Sequence, residues 1–339
     1  MKIQCPLNPI TIERIDDYIQ AGADEFYLGY RNTLTRHSDC LNRRLGAHVN
    51  FSSVDAGMAA VEQIHSKARK AFIVINELHY PPSWQDALLR DILKFAEHGA
   101  HGFIISDINL LIKLKETAPS LFLALSSTAH VLNSRAAAFY SRFGINKLIL
   151  PRQLATSEIA GLLSAGENME YELIMMNEEG PNLEGLCSFA HIPGESSPNI
   201  CRQALLYNDF PPGSGYVVDA CGACALYALR DFPDLCLKIA RRGFGADWIL
   251  KDVLFLRKAI TMLHDCGSAR EFAVRCAEEH ETIYNDKCRT KCYFYVDYEP
   301  GYEITGGQTP SDITQGVVKY GSSRNHPSMP PHPDQDRPQ

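Results

Sequence analysis

The sequence predicts a (β/α)8 barrel of the TIM type with a short C-terminal extension, and three observations point there. Short apolar strands alternate with amphipathic helices at intervals of roughly 25 to 30 residues, the rhythm of repeated βα units. Eight or so of these units fill roughly 250 of the 339 residues, the usual size of such a barrel. No Gly-rich dinucleotide fingerprint follows the first strand, which argues against an open doubly wound sheet.

The strands expected in chain order are Lys2 to Cys5, Glu25 to Leu28, Ala47 to Val49, Ala71 to Ile75, Gly102 to Ser106, Phe122 to Ser126, Lys147 to Leu150, Glu170 to Met175, Tyr216 to Asp219 and Cys236 to Ile239. Each is a short run of apolar and β-branched residues, as a sheet buried on both faces requires. Between them lie helical patterns at Thr11 to Ala21, Val54 to Ala68, Ser83 to His98, Ile108 to Thr117, Ser134 to Phe143 and Ser157 to Ser164. Gly22, Gly99, Gly144 and Gly166 stand where helix C-caps belong. The barrel is expected over residues 1–260, with a Cys-rich loop at about 177–225. Helical or irregular chain follows over 261–321, and 322–339 is a tail of Pro, His, Asp and Ser too polar to fold alone.

A net charge of -7 and a pI near 5.9 exclude a global basic footprint for nucleic acid. Any such partner needs a local patch, and the two candidate stretches are Arg31, Arg36, Arg43 and Arg44, and Lys238 to Arg242. No run of ~18 apolar residues would cross a bilayer, and the first residues read as a strand rather than a leader. A cytoplasmic protein with no membrane partner is the expectation.

In a reducing compartment, eleven cysteines argue for metal or redox chemistry rather than a disulfide framework. Cys187, Cys201, Cys221 and Cys224 fall in one middle segment. Cys221-Gly222-Ala223-Cys224 brings two thiolates toward one metal through small residues. Four thiolates in this layout suit a 4Fe-4S cluster or a structural zinc. His191, four residues after Cys187, offers a zinc site of three cysteines and one histidine. Cys288 and Cys292 would complete this site, form a second one, or stay as thiols. Cys5, Cys266 and Cys276, single in apolar or helical contexts, read as packing residues. No cysteine carries a protease signature and no His-Glu-x-x-His helix is present.

Several ordered motifs resemble peptidase family U32. Gly22-Ala23-Asp24-Glu25-Phe26-Tyr27-Leu28-Gly29 is similar to the family's Gly-Ala-Asp element and Tyr-x-Gly strand end. Asn50-Phe51-Ser52, Asn76 and Ser127-Thr128-Ala129-His130-Val131-Leu132-Asn133 follow in the family's order, with Ala129 where the family has Gln. Leu148-Ile149-Leu150-Pro151-Arg152-Gln153-Leu154 through Ile159 resembles the signature containing Arg-Glu-Leu, with Gln153 for its Glu. Leu237-Lys238-Ile239-Ala240-Arg241-Arg242 resembles Leu-Lys-Ile-Glu-Gly-Arg, with Arg241 where the Gly belongs.

The resemblance implies a barrel holding a 4Fe-4S cluster on four cysteines and serving oxygen-independent hydroxylation of a small molecule or RNA. Its ligands here would be Cys187, Cys201 and Cys224, with Cys221 or Cys40 for the family cysteine replaced near Gly180 and Pro181. It also implies a possible partner subunit of the same family. A peptidase or peptide-modifying protein, and a non-catalytic metal-stabilised binding subunit, are the alternatives.

Residues at the C-terminal ends of barrel strands point into a common site. Arg152 and Arg242 would grip a carboxylate or phosphate through paired N–H donors, and Lys238 would add a point charge. Glu178 or Asp107 would exchange protons, while Asn50, Asn76, Ser127 and Asn177 would line the substrate pocket with Asp107.

Overall fold

Eight parallel strands close into one barrel in sequence order, β1 (Lys2–Pro6), β2 (Glu25–Leu28), β3 (Lys70–Ile75), β4 (Gly102–Ile105), β5 (Phe122–Leu125), β6 (Lys147–Leu150), β7 (Glu170–Met176) and β8 (Cys236–Ile239). The closing pair sets Lys2 opposite Cys236 and Gln4 opposite Lys238. This architecture comes from a computed structural model, which describes residues 1–32, 41–42, 48–165, 169–177, 184–185, 221–286, 288 and 293–294. All of these belong to one unit, Met1–Pro300.

One of the ten expected strands is not a strand where it is described. The described part of Ala47 to Val49 is a turn, and the chain rejoins the sheet end through a bridge between Tyr30 and Phe51. β2 pairs directly with β3 from Glu25↔Lys70 to Leu28↔Ile73, so no position between them is open to another strand. Tyr216 to Asp219 lies outside the described residues, as does Gly166.

The helices α1 (Ile15–Ala21), α2 (Val54–Ser66), α3 (Pro82–Glu97), α4 (Ile108–Thr117), α5 (Ser134–Ser141), α6 (Thr156–Ser164), α7 (Ala246–Met262) and α8 (Ala269–Tyr284) start at readable signals. Ser53, Asp107, Asn133 and Ser268 accept from first-turn N–H groups of α2, α4, α5 and α8. Pro82 opens α3, where its missing N–H costs no hydrogen bond. Gly22 ends α1 at φ 111°, and a β-carbon there would sit 2.5 Å from Arg257 Nε. Residue 260 falls inside α7 rather than at a boundary, and α8 packs back on α7 through Tyr284 against Phe255, with ring centroids 5.8 Å apart. No described helix is long and apolar enough to cross a membrane.

Outside the barrel the core is ordinary, with Leu88, Ile92 and Phe95 of α3 and Val253, Leu256 and Ala259 of α7 packed on the strands. The barrel's inside is not. Gln4, Glu25, Lys147, Glu172 and Lys238, from five strands, meet in its N-terminal half, and each is at most 8% exposed. Lys147 Nζ donates to Glu25 at 2.8 Å and to Glu172 at 3.2 Å, while Lys238 Nζ donates to Glu172 at 2.7 Å and to Gln4. Two cations and two anions therefore cancel in a place where an isolated charge would be very costly.

Candidate active site at the barrel mouth

At the C-terminal end of β8, Arg242 is buried and its Nη2 donates to Asn42 Oδ1 at 2.6 Å and Asn50 Oδ1 at 3.3 Å. Asn42 Nδ2 closes the triangle by donating to Asn50 Oδ1 at 3.0 Å, and Asn8 donates to the Arg242 carbonyl. Gly29, just past β2, lies directly beneath. A β-carbon there would come within 2.7 Å of Asn42 Nδ2, 3.1 Å of Arg242 Nη2, and into Asn50 Oδ1. The glycine of the Tyr-x-Gly element thus makes room for the clamp that joins the β2 and β8 ends.

Lys238 lies deeper than its expected place near the strand end. It is the third residue of β8, and the alternation that buries Cys236 also turns Lys238 into the barrel, between Gln4 and Glu172. Its ammonium sits 4.0 Å from the Tyr27 ring centroid, and the Arg242 guanidinium lies 5.6 Å from the same ring. Tyr27 therefore separates the charged floor from the mouth. Burial lowers the pKa of Lys238 against the opposing pull of Glu172.

Arg152, after β6, is 2% exposed and its Nε donates to Glu184, while Gln153 Nε2 donates to the Glu184 carbonyl at 2.8 Å. Its guanidinium also lies 4.8 Å from the Tyr293 ring centroid. Tyr293 N–H in turn donates to the Cys221 carbonyl at 2.9 Å. Cys221 bridges Met176 at the end of β7, Gly222 N–H donates to the Met175 carbonyl at 2.7 Å, and Cys224 lies in the 3-10 helix Ala223–Leu229. The Cys221–Cys224 turn is therefore tied to β7, both thiols are partly exposed, and Arg152 reaches its neighbourhood through Tyr293.

Across the mouth, a short hydroxyl chain spans the ends of β3, β4 and β5. Asn76 Nδ2 donates to Ser126 Oγ at 3.2 Å, Thr128 Oγ1 to Ser126 Oγ at 3.0 Å, and Ser106 Oγ shares a 2.5 Å hydrogen bond with Thr128. The hydroxyl joined to Asn76 belongs to Ser126, one residue before the expected Ser127, because β5 ends at Leu125.

Two expected site residues point elsewhere. Asp107 caps α4, with Oδ1 accepting from Asn109 and Leu110 N–H and Oδ2 from Tyr80 N–H, which is a carboxylate committed to backbone rather than one placed to exchange protons. Asn177, at φ 61°, donates to Asp252 of α7, which also accepts from the Tyr284 hydroxyl. Burial, then Asp252, push the Tyr284 phenol far above its ordinary pKa, so it remains a donor. Glu178, Cys187, Cys201, Cys40, His191 and Cys292 lie outside the described residues.

Among the described residues, the three-donor group of His, Cys, Asp or Glu tight enough for a single ion is Glu25, Glu172 and Cys236, all buried. The Lys147 ammonium already occupies the space between the two carboxylates, and burial pushes the Cys236 thiol well up, so this group reads as an ion-pair lattice. Cys5 and Cys276 are buried packing residues, and the Cys5 thiol is likewise pushed up by burial.

The model of peptidase family U32 matches residues 10–302. The chain belongs to peptidase family U32. The family motifs now have a physical reading, since Gly29, Asn50 and Arg242 converge on one clamp and Arg152 anchors the Cys221 side. The chain is 24% identical over 183 residues to tRNA hydroxylation protein P of Escherichia coli (strain K12), a match covering 54% of this chain and 36% of that protein. It is 23% identical over 215 residues to tRNA hydroxylation protein P of Helicobacter pylori (strain J99 / ATCC 700824), covering 61% and 48%. The chain thus spans less than half the length of these relatives. A solved U32 peptidase aligns at 13% identity with a TM-score of 0.47, covering 71% of this chain and 93% of the other.

Proposed function

We propose that this U32 protein takes part in the oxygen-independent hydroxylation of RNA, with a 4Fe-4S cluster bound by Cys187, Cys201, Cys221 and Cys224. The observation that carries this reading is a match, over more than half of the chain, to relatives named for tRNA hydroxylation. The donor set supports it. Cys221 and Cys224 stand beside the end of β7 at the barrel mouth, both partly exposed. Bound there, a cluster would supply one-electron transfer.

The remaining residues bind, orient and exclude. Arg242 holds Asn42 and Asn50 over the mouth, and Arg152 fixes Tyr293 next to the cysteine turn. Lys238, neutralised by Glu172 at 2.7 Å, supports the Tyr27 ring from below, and the cationic groups facing the mouth are those of the two arginines. The test is the nucleoside composition of tRNA from cells with and without the gene. Loss of a nucleoside carrying one added oxygen, restored by the wild-type gene but not by Cys221→Ala, is expected. Unchanged tRNA together with peptide cleavage by metal-free protein would replace this reading with a peptidase.

A further inference from the structure

The chain between β8 and α7 departs from the family motif where Arg241 stands in place of Gly, and it does so at a costly position. Arg241 adopts φ 69°, a left-handed conformation that a glycine accepts freely and a residue with a β-carbon does not. Replacing glycine there makes sense if the side chain is needed. Its guanidinium lies 3.9 Å from the Phe244 ring centroid. Phe244 is followed by Trp248, with ring centroids 5.7 Å apart, and Trp248 opens the first turn of α7 with 38% of its surface exposed. A cation and two aromatic rings thus line up on the rim next to Arg242 of the mouth clamp.

The surroundings suit an anionic, aromatic ligand. A β-carbon built on Gly243 would lie 3.8 Å from Nε2 of the exposed His48, so the Lys238 to Arg242 stretch and this imidazole stand beside the rim. The nearby carboxylate of Asp247 is paired with Arg14 at 3.1 Å, which reduces its repulsion. Single-stranded nucleic acid is held in this way, with bases stacked on aromatic rings and arginine planes beside a local positive charge.

We propose that Arg241, Phe244 and Trp248 form a stacking platform that receives a single-stranded stretch of RNA and leads it to the barrel mouth. This deepens the RNA reading above and rests on it. The platform also reconciles an acidic protein with a polyanionic substrate, because stacking and one local patch supply the grip.

The chain has two tryptophans, so a Trp84→Phe variant reports Trp248 alone. Titration with unmodified tRNA is expected to quench its fluorescence. Arg241→Gly and Trp248→Leu are each expected to weaken tRNA binding by roughly tenfold. Arg241→Gly also relieves the left-handed backbone, so its melting temperature is expected to stay level or rise while affinity falls, which a merely structural arginine would not do. Full tRNA affinity in Arg241→Gly, an unquenched Trp248, or a fall in melting temperature for Arg241→Gly would overturn the platform and leave the RNA reading standing. Absence of tRNA binding by the wild-type protein would overturn both.

Discussion

The floor and the mouth of this barrel both bury charge, but the floor joins strand to strand while the mouth joins strand ends to loops. On the floor, Lys147 and Lys238 are compensated by Glu25 and Glu172, all on β-strands whose backbones are already fixed by the sheet. At the mouth, Arg242 reaches Asn42 and Asn50, and Arg152 reaches Glu184, all in the connections between elements. The difference separates two tasks. The floor is organised for stability, whereas the mouth spends its two arginines on holding loops in place, the part of a TIM barrel where chemistry resides.

The comparison breaks most visibly at Glu172. Glu172→Leu leaves two ammonium groups in the barrel with one carboxylate, and a loss of about 3–5 kcal/mol is expected in urea unfolding. The same residue predicts the acid limb of stability. Burial raises the pKa of Glu172, but the ammonium groups of Lys238 and Lys147 more than offset it and hold the carboxyl below its usual 4.5. A carboxyl with a lower pKa folded than unfolded contributes its full stabilisation above the unfolded value and loses it as pH falls through the folded one. Wild-type stability should therefore drop on acidification below about 4.5 more steeply than that of Glu172→Gln, as read by unfolding curves over a pH series.

Arg242→Met tests the mouth. It removes two charge-assisted hydrogen bonds, and a loss of about 1.5–3 kcal/mol is expected. The informative signature is local, namely faster proteolysis within residues 33–50 while the barrel remains folded by circular dichroism. Uniform destabilisation without local cleavage would make Arg242 part of the floor's task and erase the distinction. The smallest effect is expected far from both regions. Ser268→Ala removes the side-chain cap of α8, which accepts from Glu271 N–H at 3.2 Å, and should cost about 1 kcal/mol with no change in tRNA binding.

The floor's backbone was legible in the sequence and its chemistry was not. Glu25 to Leu28, Lys147 to Leu150 and Cys236 to Ile239 have the expected bounds because turn residues and charges fence each apolar run. Helix α4 is bounded as expected because Asp107 is a cap, the same fact that withdraws it from proton exchange. The alternation in Cys236-Leu237-Lys238-Ile239 already turned Lys238 to the same side as Cys236, a signal that apolar neighbours obscure. At the mouth, the two arginines and Asn50 were visible as motif residues. Asn8, Asn42, Ser126, Glu184 and Tyr293 were not, since loop partners carry no periodicity and their roles depend on distant strand ends meeting in space.

Redox chemistry on cysteine ligands at the mouth is tested by iron and acid-labile sulfide content, with an absorption spectrum, on protein purified without oxygen. About four iron and four sulfide per chain are expected, with both lost in Cys221→Ala and in Cys224→Ala while the barrel stays folded. Zinc without sulfide, or iron that persists in both variants, would contradict it.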